Sequence, residues 1–192
     1  MTISQIVCVD SEFGIGRGGS IPWQNKDEMR LFRTMTTGHI VVMGRNTWET
    51  LRPISLPGGS EARVLKNRIN VVVSTTLNDV PFIKLCPCPE DALSPETYNS
   101  RREFSNIKSI IGKPSHGEVD AVDGGGRNIF VIGGGQLYHS THQLCDTIYL
   151  SVLPDSYGCD THFPQEVLDG FYLEDIVSYD SFKLKIYRKR RC

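Results

Sequence analysis

The sequence predicts an α/β domain built on a central, mostly parallel, twisted sheet, with helices on both faces and an antiparallel C-terminal strand. Three observations carry this. Short apolar runs at residues 3–9, 39–43, 69–73 and 128–132 lack strict alternation, as expected of strands buried on both faces. Three of the apolar strands run into turns of ligand-binding type, two of them rich in glycine. The tail does alternate: Phe182, Leu184 and Ile186 fall on one face and Lys183, Lys185 and Tyr187 on the other, which predicts a half-solvated strand closing the sheet.

At 192 residues the chain is long enough for one sizeable core, and a single domain over residues 1–192 is expected. No apolar run approaches the roughly 20 residues of a membrane span. The start, Met1-Thr2-Ile3-Ser4-Gln5, lacks the basic and apolar regions of a secretory signal, so a cytoplasmic protein is expected. The six cysteines follow neither a paired zinc-site spacing nor a small disulfide framework; free thiols and no metal are expected. A net charge of -1 gives no general attraction for nucleic acid. The basic run Arg188-Lys189-Arg190-Arg191 has no aromatic partners, so no nucleic-acid partner is expected.

Taken in order, the first strand exits into Gly14-Ile15-Gly16-Arg17-Gly18-Gly19 and then Ile21-Pro22-Trp23. The glycine spacing echoes a dinucleotide fingerprint but opens no helix, so it reads as a mobile loop able to cover a ligand. Glu28, Leu31, Phe32 and Met35 then recur at i, i+3, i+4 and i+7, which sets a carboxylate on the apolar face of a helix. A solvated first-turn acid is the alternative, and the neighbouring Asp27 suits that role. The second strand breaks at Gly44-Arg45 into a short helical start, where free N–H groups and a cation can meet an anion. Residues 52–67 read as a loop. The third strand ends in Ser74-Thr75-Thr76, hydroxyls that either cap a turn or donate to an anion. A short strand and helix are expected within 77–97, and a mobile insertion over 98–127. The fourth strand runs into Gly133-Gly134-Gly135 before another helical start, a second turn that admits close backbone approach. A further strand over 147–153 precedes Gly158-Cys159-Asp160-Thr161-His162-Phe163-Pro164.

These pieces, taken together with Val42-Met43-Gly44-Arg45-Asn46-Thr47-Trp48-Glu49 and Leu65-Lys66-Asn67-Arg68-Ile69-Asn70, occur in one order across nearly the whole chain. In that order they resemble dihydrofolate reductase. The resemblance implies a single-domain enzyme that reduces 7,8-dihydrofolate to tetrahydrofolate with NADPH and binds antifolates, in support of one-carbon metabolism and thymidylate synthesis; a monomer is expected. It implies that Glu28, assisted by Thr161, pairs with the pterin and, through water positioned by Trp23, helps protonate N5. Ile6, Val7 and Ile132 would frame the pterin; Leu31, Phe32, Leu51 and Leu65 would wall the aminobenzoate; Arg68 would clamp the glutamate α-carboxylate. For the cofactor it implies Cys8, Ile15, Gly16 and Tyr138 near the nicotinamide. Gly44, Arg45, Asn46 and Thr47 would face Gly133, Gly134, Gly135, Gln136 and Leu137 across the pyrophosphate, with a cis bond at Gly133-Gly134. Arg45, Ser74 and Thr75 would take the adenosine 2′-phosphate. Thr75 and Gln136 stand where relatives carry arginine, which leaves Arg45 as the main determinant for NADPH, and Cys8 replaces an alanine and adds an oxidisable thiol. A related pyrimidine reductase or a non-catalytic binder on the same fold are the competing readings.

Overall fold

A computed structural model describes residues 1–55, 61–78, 80, 83–98 and 127–190. Of the insertion expected at 98–127, residues 99–126 lie outside the described residues, as do 56–60 of the expected loop and the terminal 191–192.

The first half of the chain forms β1 (Ile3–Val9), β2 (Gly14–Gly16), α1 (Lys26–Thr36), β3 (Ile40–Gly44), α2 (Arg45–Thr50), the short pair β4 (Ile54–Ser55) and β5 (Glu61–Ala62), β6 (Ile69–Val73), β7 (Lys84–Cys86) and α3 (Pro89–Leu93). The second half adds β8 (Ile129–Val131), α4 (Gly135–Thr141), β9 (Thr147–Val152), β10 (Thr161–His162), β11 (Phe171–Ser178) and β12 (Lys183–Lys189). Eight of these strands make one sheet in the order β11-β12-β9-β1-β8-β3-β6-β7. β12 pairs antiparallel with both neighbours, while the pairings from β9 across to β7 are parallel. The expected mostly parallel sheet with an antiparallel C-terminal strand is therefore observed. Parallel pairing has a functional consequence, because it brings Asp10, Gly44, Ser74 and Gly133, each next to a strand's carboxyl end, to a single edge of the sheet.

Both faces are covered. On one, Val7, Val9, Ile40, Val42, Val71, Ile129 and Val131 pack under Leu137 and Tyr138 of α4 and Leu93 of α3. On the other, Ile6, Val41, Met43, Val72 and Phe130 meet Phe32 and Met35 of α1, and Trp23, Leu153, Phe182 and Leu184 extend that layer with Leu31. The strands are buried on both sides, which is why their sequences read as continuous apolar runs.

Helix α1 starts where it does because Asn25 caps it: its Oδ1 accepts the Glu28 N–H at 3.0 Å. The cap is itself held by the turn between β11 and β12, since Asn25 Nδ2 donates to the Ser181 carbonyl at 3.3 Å and Ser181 Oγ donates to Asn25 Oδ1 at 3.1 Å. The last strands thus fix the first helix.

Three elements differ from the sequence reading, the first being the short β4–β5 pair within the stretch 52–67 read as a loop. The glycine loop is fastened at its start, with Gly14 and Gly16 paired to His162 and Thr161 of β10. Strand β11 was not foreseen, because its central residues face solvent at the sheet edge and leave no apolar periodicity to read. Asn25→Ala is expected to lower stability by about 1 kcal/mol, the usual worth of an N-cap, in urea unfolding, with Ser181→Ala smaller in the same direction.

Candidate active site

The inward face of α1 carries Glu28, which is only 8% exposed. The spacing that set it beside Leu31, Phe32 and Met35 has put it under the helix and not in solvent. Burial raises its pKa, and a hydrogen bond from Ser151 opposes that rise without cancelling it. Ser151 is buried on β9, directly across from Cys8 of β1, so two adjacent parallel strands form the floor below the acid. Trp23 closes one side: its side chain bonds the Cys8 thiol, and its ring lies 5.3 Å from that of Tyr157. Burial, and then the charge of Glu28, push the Cys8 thiol up, so it stays protonated. The oxidisable thiol expected from sequence is therefore a poor nucleophile here.

A second charge stands at the other end of α1. Arg68 is 8% exposed, its Nε has no hydrogen-bond partner among the described residues, and its guanidinium lies 5.6 Å from the Phe32 ring. Its Nη2 reaches Thr37 Oγ1 at 3.4 Å, at the C-cap of α1. Burial, then the neighbouring Arg33, push its pKa down to about 10, which still leaves it charged at neutral pH. The nine helical steps from Glu28 to Thr37 span roughly 13 Å at 1.5 Å per residue. Between these ends Leu31, Phe32, Leu51, Leu65 and Ile132 are half-buried, each packed into the core on one side. Arg68 is oriented by Asn70, whose side chain accepts the Leu65 N–H at 2.9 Å and donates to the Leu65 and Arg68 carbonyls at 3.0 and 3.1 Å. Along this face of α1 lie an acid, half-buried apolar side chains and a guanidinium with an unpartnered Nε, which suits a flat, long ligand with a basic edge and an anionic tail.

At the sheet edge two glycine turns abut. The Gly44 N–H donates to the Gly133 carbonyl at 2.7 Å, and the Gly133-Gly134 bond is cis, as expected. A Cβ at Gly134 would sit 3.5 Å from Thr47 Oγ1, and one at Gly44 would sit 3.7 Å from the Gly133 carbonyl. Without those side chains a notch stays open to which a diphosphate can approach the backbone. Gly135 faces Ile15, and the Tyr138 phenol donates to the Ile6 carbonyl at 2.9 Å. Arg45 donates from Nη1 to Thr76 Oγ1 at 2.8 Å and pairs with Glu49, with Ser74 Oγ 3.4 Å from Thr76 Oγ1. Asn46, Thr75 and Gln136 are exposed around this edge.

Asp10 pins the loop above. It is 1% exposed and accepts the N–H groups of Glu12, Gly14 and Tyr157 at 2.7–3.0 Å. Burial acts to raise its pKa, but these backbone donors together outweigh it and hold the carboxyl below the usual range. There is no room at Gly14 for a side chain, since a Cβ would come within 2.4 Å of Cys159 and 2.9 Å of Asp10.

Three expected residues fall elsewhere. Thr161 is exposed on β10 and donates to Asp160 at 3.0 Å; the hydroxyl on Glu28 is Ser151. Val7 points to the opposite side of the sheet from Ile6, as strand alternation requires, and packs with Val9 and Tyr138. Leu137 is buried under the sheet, and its N–H is committed to the Gly134 carbonyl at 2.9 Å. Ser151 and Asp10 were not singled out from sequence, and Thr76 and Asn70 stood only within motifs with no role of their own. A hydroxyl within the run 147–153 was the available signal for Ser151, and the Ser74-Thr75-Thr76 cluster for Thr76.

The family model described as "Dihydrofolate reductase" matches residues 2–112 and 97–181. A dihydrofolate reductase of Schistosoma mansoni is 35% identical over 175 residues, covering 86% of this chain and 79% of that protein. One of Ureaplasma parvum serovar 3 is 26% identical over 186 residues, covering 97% and 96%. The chain also aligns, at 29% identity over 204 residues, with 33% of a bifunctional dihydrofolate reductase-thymidylate synthase of Daucus carota.

Because the Glu28 pKa is raised, the folded state holds that proton more tightly than the unfolded chain. Its contribution to stability is present below the ordinary carboxyl range and is lost as pH rises through the folded value. Glu28→Gln is expected to unfold at higher urea than wild type at pH 8, with the gap closing toward pH 4. A gap that does not change with pH would contradict the buried, ionising acid.

Proposed function

The chain belongs to the dihydrofolate reductase family, and from that premise we propose that it reduces 7,8-dihydrofolate to 5,6,7,8-tetrahydrofolate with NADPH, as a monomeric, single-domain cytoplasmic enzyme. The observation that carries the reading is the buried acid near the start of α1 and, near its end, a buried guanidinium whose Nε has no hydrogen-bond partner among the described residues. The spacing between them suits a pterin, an aminobenzoyl ring and a glutamate in line. The product feeds one-carbon metabolism and nucleotide synthesis. Cys8, Cys88, Cys145 and Cys159 carry free thiols, which accords with a reducing compartment.

Glu28 accepts hydrogen bonds from the pterin amino group and N3, and Ser151 holds the carboxylate in place. An acid desolvated in this way stays partly protonated closer to neutral pH and raises the basicity of the ring system it faces. The proton reaches N5 through water, with Trp23 setting one wall of the path. Ile6 and Ile132 frame the pterin, and Leu31, Phe32, Leu51 and Leu65 exclude water from the aminobenzoyl ring. Arg68 meets the α-carboxylate with the N–H donors it leaves free. When bound, NADPH supplies the hydride that goes to C6. The residues present fit this cofactor: the open notch at Gly44, Thr47, Gly134 and Gly135 admits its diphosphate. Ile15, Gly16, Cys8 and Tyr138 border the nicotinamide, and Arg45 with Ser74 and Thr76 meets the 2′-phosphate. An antifolate with a protonated diaminopyrimidine ring would pair with the Glu28 carboxylate.

The test is dihydrofolate-dependent oxidation of NADPH. Glu28→Gln is expected to lower kcat/KM by at least about 100-fold, with a residual rate that rises as pH falls and the substrate protonates itself. NADPH binding without dihydrofolate turnover would move the reading to a related reductase. Arg68→Leu is expected to weaken dihydrofolate by at least about 30-fold, the cost of removing one partner of a buried charge pair, and to leave NADPH affinity nearly unchanged. Equal losses for both ligands would reject the clamp.

A further inference from the structure

We infer that Glu49 sets how strongly this protein discriminates between nicotinamide cofactors with and without an adenosine 2′-phosphate. It does so by occupying the guanidinium that the phosphate needs. The inference rests on the reading above that Arg45 meets that phosphate, and it goes beyond it by naming the residue that opposes the interaction.

Arg45 opens α2 and Glu49 lies one turn later on the same helix face. The Arg45 Nε donates to Glu49 Oε1 at 2.7 Å, and Nη1 donates to Thr76 Oγ1 at 2.8 Å. A guanidinium grips phosphate or carboxylate most strongly along a two-pronged edge. Here Glu49 takes the Nε–H of one such edge, and Thr76 engages Nη1 of the other. An arriving phosphate therefore meets Arg45 through a single prong or must displace the Glu49 carboxylate.

Charge leads to the same conclusion. Arg45 is the only cation among the residues assigned to the 2′-phosphate; Ser74, Thr75 and Thr76 bring hydroxyls alone. With Glu49 paired to it the cluster carries no net charge, and the remaining donors are as well suited to a ribose hydroxyl as to a phosphate. A carboxylate at this place also accepts a ribose 2′-hydroxyl, which a phosphate-bearing cofactor lacks. Glu49 thus acts against NADPH and in favour of NADH. Both side chains are about half exposed, at 46% and 48%, so the pair is screened by solvent and yields to a competing anion. The expected effect is a shift of several-fold.

The experiment measures dissociation constants of NADPH, NADH and 2′,5′-ADP by fluorescence or calorimetry, without folate, for wild type, Glu49→Gln, Glu49→Ala and Arg45→Gln. Both Glu49 variants are expected to bind NADPH and 2′,5′-ADP about 3- to 10-fold tighter, with NADH unchanged or weaker, and the gain should shrink as salt is raised. Glu49 lies on an exposed helix surface, and thermal unfolding checks that each variant is folded. If Arg45→Gln abolishes the NADPH preference while neither Glu49 variant moves it, the role of Glu49 is overturned and the phosphate site stands. If Arg45→Gln leaves the preference intact, the phosphate lies elsewhere and both readings fall. A gain that is the same for NADH and NADPH, or that ignores salt, also overturns the inference, because it would report on helix stability and not on the phosphate.

Discussion

A carboxylate held under a helix, away from water, is the constraint around which this molecule is arranged. Burying an acid is unfavourable unless it is hydrogen-bonded or paired. Here the compensation is small: one hydroxyl, Ser151, from a strand distant in sequence. The acid remains buried because everything around it is fixed independently. Asn25 starts the helix, Ser181 holds Asn25, and the hairpin carrying Ser181 is locked into the sheet through β12 and β9. The antiparallel strand at the C-terminus is thus more than a lid on the sheet edge, since it sets the angle at which the first helix presents its acid.

Arg68 repeats the same logic with the opposite sign. A buried guanidinium with an unpartnered Nε is a cost to the folded chain, and it is tolerated because Asn70 and the Phe32 ring hold it in place. Two under-compensated charges along one face of α1 would concentrate the binding energy of the proposed ligand in orientation. A ligand that carries a donor edge and an anion at the right separation relieves both costs at once. Sites of this kind exchange stability of the free protein for affinity and alignment.

The half of the site proposed for the cofactor is built differently. Its central features are backbone turns, where the absence of side chains at Gly44 and Gly134 leaves the chain itself uncovered. Parallel strand pairing brings these turns to one edge, and the loop above them is fastened by the three N–H groups that converge on Asp10 and by the pairing of β2 with β10. Side-chain electrostatics enter only at the periphery, where Arg45 and Glu49 face each other in partial solvent.

Much of this was legible in the order of residues. Continuous apolar runs marked strands buried on both faces, because a parallel sheet between helices leaves neither side for polar groups. The position of Glu28 on an apolar helical face, the Arg68 motif and the two glycine turns are local patterns, and the family resemblance carried their assignment. What the chain alone did not determine depends on pairing between distant segments. Ser151 and not Thr161 reaches Glu28, because the register of β9 against β1 sets the former under the helix while β10 draws the latter to the surface with Gly16. Val7 leaves the α1 side because the pleat turns alternate residues to opposite faces, and no sequence pattern says which face the ligand uses when both are apolar. Strand β11 lies at a solvent-exposed edge, and the bond from Tyr157 to Asp10 and the Asn25–Ser181 tie span 147 and 156 residues. Such contacts leave no periodicity in the chain, so tertiary structure decided them.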